Sequence, residues 1–174
     1  MPPGQGTRPT SDRTREGLFS ALDSLLHGLQ GLRVIDAYAG SGAVGLEALS
    51  RGAEAALLIE SDRRAAQTVR ANLAALGLPG ARLTADRVER VAAEPCPDKP
   101  YDVLFLDPPY ALGAAAVAET IAGFAGNGWL GADAIVCVER ASRDPEWEWP
   151  AGFEALRARA YGEGTLWYGH RREQ

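Results

Sequence analysis

Residues 33–47 read Arg-Val-Ile-Asp-Ala-Tyr-Ala-Gly-Ser-Gly-Ala-Val-Gly-Leu-Glu. An apolar pair, Val34 and Ile35, runs into an acid, Asp36. Then comes Gly40-Ser41-Gly42-Ala43-Val44-Gly45, which spells G-x-G-x-x-G. Ala43, Val44, Leu46, Ala48 and Leu49 come next as material for a buried helix. Strand, glycine turn, helix is the context in which such a glycine pattern marks a nucleotide site. The glycines permit positive φ and a close approach of backbone to ligand. The helix start offers unpaired N–H groups.

In a dinucleotide site the pyrophosphate rests on that helix start. Asp36 stands four residues before Gly40 and faces the same ligand. A carboxylate suits a cationic or amine-bearing ligand better than a pyrophosphate. S-adenosylmethionine carries an ammonium and a sulfonium, so Asp36 favours a methyl donor over a redox dinucleotide. The plainer reading of Asp36 is a residue that only caps the turn.

The chain of 174 residues is long enough for one domain with a real core, and 46% of it is apolar. A net charge of −5 means that any nucleic acid must be met by a local basic patch. Cys96 and Cys137 form no C-x-x-C, and His27 and His170 are isolated. This argues against a zinc site or a disulfide framework and fits a reducing cytosol. No apolar run approaches the roughly 18 residues of a membrane span.

Residues 1–10 are Gly/Pro-rich and read as a flexible arm, leaving 11–174 as the single domain. Ser11 or Asp12 can cap a helix carrying Leu18, Phe19, Leu22, Leu25, Leu26 and Leu29, with Gly31 as its stop. Arg8, Arg13 and Arg15 cluster at its start. They are either a solvated face or a set of phosphate contacts and a lid over the cofactor. Residues 55–60 are a short strand ending in Glu60, where a nucleotide ribose is held. Residues 63–76 read as a helix stopped by Gly77. Residues 82–85 are a third strand ending near Asp86, which either accepts from an adenine amine or caps a helix. Residues 102–106 form a nearly continuous apolar strand that runs into Asp107-Pro108-Pro109-Tyr110. A helix over 114–124, a buried strand over 134–138 and two runs around Tyr161-Gly162-Glu163-Gly164 complete the chain, the last as an antiparallel hairpin. The alternation predicts an α/β fold with a doubly wound, mostly parallel sheet, whose ligands sit at the strand carboxyl ends. Asp36, Glu60, Asp86 and Asp107 all fall at such ends.

Asp-Pro-Pro-Tyr fits methyl transfer to an exocyclic base amine. The lone pair of that nitrogen is delocalised into the ring, so the site must hold it in line and accept its hydrogens. Asp107 can accept one and the Pro108 carbonyl another. Pro108 and Pro109 lack N–H donors. Tyr110 offers a face for a base, worth about 1–3 kcal/mol in comparable contacts. A base paired in a duplex must be flipped to reach it. The alternative is a proline-stopped strand with an incidental acid and aromatic.

The sequence resembles the RsmD-type family of bacterial methyltransferases, which modify the N2 amine of a guanine in 16S ribosomal RNA. The resemblance rests on Arg8-Pro9-Thr10 with Asp12-Arg13 and Arg15-Glu16, on residues 36–52 (DAYAGSGAVGLEALSRG), on Glu60-Ser61-Asp62, on Asp107 to Tyr110 and on Tyr161-Gly162-Glu163. It implies a seven-stranded Rossmann-like sheet of the class I S-adenosylmethionine-dependent methyltransferases. It further implies that Asp36, Gly40 and Gly42 hold the methionine part of the donor, Glu60 the ribose and Asp86 the adenine, with Ala39, Ser61 and Arg87 also beside the donor. Asp107, Pro108, Pro109 and Tyr110 then form the catalytic pocket, with Asp107 also beside the donor. Arg8, Thr10, Arg13 and Arg15 approach the RNA. The implied partner is 16S ribosomal RNA or a small-subunit assembly particle, met in the cytoplasm by a monomer without metal or membrane. Family members begin with a basic hairpin before the Arg-Pro-Thr segment, whereas only seven residues precede Arg8 here. Competing readings are an amino-methyltransferase for DNA adenine, a tRNA base or a protein glutamine, and a dinucleotide-dependent oxidoreductase or nucleotide-binding module.

Overall fold

A computed structural model describes residues 11–172, so Arg8 and Thr10 lie outside the described residues. The chain opens with helix α1 (Asp12–Leu26), strand β1 (Arg33–Ala37), α2 (Ala43–Ser50), β2 (Ala55–Ile59) and α3 (Arg63–Leu76). It continues through β3 (Ala81–Thr84), α4 (Val88–Ala93), β4 (Tyr101–Leu106) and α5 (Ala114–Gly126). It closes with β5 (Leu130–Ala141), β6 (Phe153–Tyr161) and β7 (Gly164–Arg171). The seven strands form one sheet in the order β3-β2-β1-β4-β5-β7-β6. The first five are parallel, and β7 pairs antiparallel with both β5 and β6. This is the doubly wound sheet with a closing antiparallel hairpin that the alternation predicts.

Both faces of the sheet are covered. Ile35, Leu57, Leu104, Leu106, Val136 and Val138 face α4 and α5 with Val117, Ile121 and Phe124. Val34, Val103, Phe105, Ile135 and Cys137 face α1 with Leu18, Phe19 and Leu22. The central strands are therefore apolar at consecutive positions, as a sheet buried on two sides requires.

Local signals set most boundaries. The Ser11 hydroxyl accepts from the Thr14 N–H at 3.1 Å and caps α1. That helix ends at Leu26 rather than at Gly31, because His27 turns left-handed at φ 59° and closes the last turn onto the Asp23 carbonyl. Asp62 caps α3 and Gly77 ends it. Strand β5 runs well beyond residues 134–138. Its first residues pair with Tyr101 across an irregularity, and its last ones with β7. A six-residue α4, too short for a periodic signal, fills the connection after β3.

Candidate active site

The strand order reverses between β1 and β4, which are hydrogen-bonded neighbours with Asp36 beside Phe105. Chains leaving those two strands turn to opposite faces and open a crevice at the carboxyl edge. A cavity of about 600 Å³ occupies it, within the range of small-molecule sites. Its wall holds Asp36, Ala39, Gly40, Glu60, Ser61 and the run Asp107, Pro108, Pro109, Tyr110. Ser11, Asp12 and Arg15 of the α1 start close one side.

The glycine turn is built by close hydrogen bonds. Gly40 sits at φ 59° and its N–H donates to Glu60 Oε1 at 2.7 Å. The other Glu60 oxygen accepts from the Asp62 N–H at 2.8 Å. Glu60 thus ties the glycine loop to the turn after β2, and its remaining lone pairs stay available for ligand hydroxyls. Asp36 accepts from the Gly45 N–H at 2.9 Å, so it does cap the turn, and it also lines the cavity. It is 2% exposed. Burial, with the Glu60 charge nearby, pushes its carboxyl up to about 7 despite the stabilising Gly45 N–H.

Two carboxylates that oppose each other's charge across one cavity favour a cation between them and repel a pyrophosphate. S-adenosylmethionine, with its ammonium and sulfonium, fits this set of groups; a dinucleotide does not.

The structure separates the remaining site residues. Gly42 is absent from the cavity wall. It starts α2 at φ 85°, and a Cβ there would lie 2.8 Å from Leu58 Cδ2, so its service is close helix–sheet packing. Asp86 and Arg87 also stay off the wall. Asp86 accepts from the Arg87 N–H at 2.7 Å, and Arg87, rather than Asp86, is the cap residue of α4. Arg15 is bound by Glu47 at 2.8 Å and Asp12 at 3.0 Å. Arg13 is exposed and makes no ion pair with a described residue.

Sequence reasoning missed Tyr38. It lines the cavity in a left-handed conformation, φ 57°, and its hydroxyl donates to Glu89 at 2.8 Å, anchoring the loop after β1 to α4. The only signal was an aromatic between Asp36 and the glycines. Among the described residues no helix is long and apolar enough to cross a membrane, and no cluster suited to a metal ion is found.

A family model described as conserved hypothetical protein 95 matches residues 1–170. Ribosomal RNA small subunit methyltransferase D of Escherichia coli is 38% identical over 163 residues, covering 94% of this chain and 79% of that protein. This chain belongs to the ribosomal RNA small subunit methyltransferase D family. The solved yhhF protein of Escherichia coli superposes with a TM-score of 0.84 at 34% identity, covering 96% of this chain and 90% of that one. Magnesium protoporphyrin IX methyltransferase of Synechocystis, solved with bound S-adenosylmethionine, shares the fold at a TM-score of 0.69 and 15% identity, covering 91% of this chain and 78% of that one. The fold of this family member is that of the class I methyltransferases.

Proposed function

We propose that this chain transfers a methyl group from S-adenosylmethionine to the exocyclic N2 amine of a guanine in 16S ribosomal RNA during small-subunit assembly. The observation that carries the reading is one cavity walled by the carboxylates of Asp36 and Glu60 on one side and by Asp107 to Tyr110 on the other. The names of the curated relatives support ribosomal RNA as the acceptor. The bound donor supplies a methyl on a sulfonium, a good electrophile with a neutral leaving group. Asp36 meets the ammonium and Glu60 the ribose hydroxyls. Asp107 and the Pro108 carbonyl accept the two amine hydrogens, which turns the nitrogen lone pair toward the methyl. Tyr110, 48% exposed, gives the flipped base its stacking face. Such positioning can supply roughly 7–11 kcal/mol of the barrier. Asp107 takes the proton as the new bond completes.

A labelled-methyl transfer assay tests this. The acceptors are 30S particles, naked 16S RNA, tRNA, DNA and ribosomal proteins, and labelled RNA is digested to nucleosides. N2-methylguanosine from 16S RNA is the expected product; label confined to another acceptor overturns the reading.

Asp36 makes donor binding pH-dependent. A cationic donor favours the ionised carboxylate, so binding expels a proton where the free protein holds one. Donor affinity should therefore fall about tenfold for each pH unit below 7, read by titration calorimetry between about pH 5.5 and 7.5. Asp36→Asn should bind weakly with no such slope. The folded value of about 7 also lies above the unfolded one near 3.9. Its penalty on the fold is absent below about pH 4, grows through the interval and is complete above about pH 7. Asp36→Asn should accordingly melt higher than the native chain at pH 8 and not at pH 4. A pH-independent donor affinity would refute the assigned role.

The arginines divide. Arg13→Gln should weaken RNA binding and flatten its salt dependence by about one unit of slope. Arg15→Gln should mainly loosen the tie between α1 and α2. Equal slopes for the native chain and Arg13→Gln would remove Arg13 from the RNA surface.

A further inference from the structure

A second cavity, of about 240 Å³, adjoins the first at Tyr110, which lines both. Its wall includes Arg140, Asp144, Glu146 and Trp147. Arg140 is the penultimate residue of β5, with its side chain only 10% exposed. Its guanidinium donates to the Leu112 carbonyl at 3.1 Å and stands 3.9 Å from Asp144. Leu112 closes the turn after Asp107-Pro-Pro-Tyr, its N–H donating to the Pro109 carbonyl at 3.0 Å. Arg140 is therefore held against the same turn that carries the amine-binding groups.

The loop that completes this cavity is anchored. Trp147 is 6% exposed and meets Trp149 edge-on at 5.7 Å, and Trp149 stacks on Phe153 at 6.0 Å. Gly169 leaves the space that Trp149 fills, since a Cβ there would lie 2.6 Å from the indole. The Trp147 indole N–H is buried without a hydrogen-bond partner among the described residues. A buried donor of this kind is rare in a native interior and gains from an acceptor brought beside it.

The amine-bearing bases differ in the groups next to the amine along the ring edge. Guanine presents N2, then the N1–H donor, then the O6 acceptor. Adenine presents N6, then the N1 acceptor, then a C–H. Cytosine presents N4, then the N3 acceptor, then O2. Once the amine is fixed at Asp107, a carboxylate and then a guanidinium complement guanine. The same pair sets a carboxylate against a lone pair in the other two bases. Asp144 and Glu146 are the carboxylates of the second cavity and Arg140 its guanidinium. Arginine is also a usual donor to guanine O6, in duplexes through the O6/N7 pair.

We infer that the second cavity reads the N1–O6 edge of the target base, with Arg140 donating to O6 and the Asp144–Glu146 carboxylates accepting from N1–H, so that Arg140 determines specificity for guanine. This deepens the function proposed above and rests on it.

The test replaces the guanine identified in the transfer assay by 2-aminopurine in a ligated RNA. 2-Aminopurine keeps the N2 amine and loses both N1–H and O6. The native enzyme should prefer guanine by at least about 100-fold in kcat/KM, since a site built for polar groups rejects the analogue that lacks them. Arg140→Ala should shrink that ratio by about tenfold or more, the carboxylate contact to N1–H keeping the remainder, while donor affinity stays at the native value. Arg140→Lys, which keeps the charge and is the better-folding substitute, should give an intermediate ratio. Equal use of guanine and 2-aminopurine by the native enzyme overturns the inference, and so does a native ratio in both variants. A native enzyme that labels no RNA guanine at all instead overturns the function proposed above.

Discussion

Asp107→Ala should lower single-turnover methyl transfer by about 10²–10⁴-fold, the usual contribution of a positioned acid–base group. Donor affinity should stay within a few-fold of native. The two effects separate because, in the proposed arrangement, the donor is held by Asp36 and Glu60, at the ends of β1 and β2. Asp107 leaves β4 on the acceptor side of the same cavity. Asp107→Asn is the informative companion. It keeps a carbonyl that can accept one amine hydrogen and loses the capacity to take a proton. A rate close to native for the asparagine variant would assign Asp107 to orientation. A rate as low as that of the alanine variant would assign it to proton removal. Transfer by Asp107→Ala within about threefold of native would remove the residue from the reaction.

The second large effect belongs to the glycine loop. Gly42→Ala should destabilise the fold by about 2–4 kcal/mol, combining the left-handed penalty for a residue with a Cβ with overpacking of a filled core. The new methyl would lie 2.8 Å from Leu58 and 3.4 Å from Val69, both fully buried. Gly40→Ala should cost only about 1–2 kcal/mol, because at φ 59° it meets the left-handed penalty alone, with no atom within 4 Å of its Cβ. Urea unfolding reads the difference as a shift of midpoint at constant slope. Equal losses would mean that the contact with Leu58 is not what requires a glycine at 42.

Much of the site was legible in sequence because its signals are local. Asp36 and the glycines occupy ten consecutive positions, and Asp107 to Tyr110 occupy four. Strand β2, helix α3 and the stop at Gly77 fell where apolar periodicity and capping residues place them. Asp86 shows what the sheet order adds to the local reading. It lies two residues beyond the end of β3, the edge strand two positions from β1, about 10 Å away at normal strand spacing. Its carboxylate turns back onto its own chain. Arg15 is a second case. Its basic character suggests phosphate, and the fold also brings Glu47 to it from 32 residues away.

The sequence by itself determined the alternation of strands and helices, the methyl-donor chemistry implied by Asp36 before a glycine turn, and the place of the Asp-Pro-Pro-Tyr run at the end of β4. These arise from residue type and short spacing, which act within a few turns of chain. Only the tertiary structure decided the insertion of β7 between β5 and β6, the capture of Arg15 by Glu47, the packing role of Gly42 and the second cavity at Arg140. Each depends on groups distant in the chain brought together by sheet pairing and core packing. No local pattern specifies which distant partner is chosen.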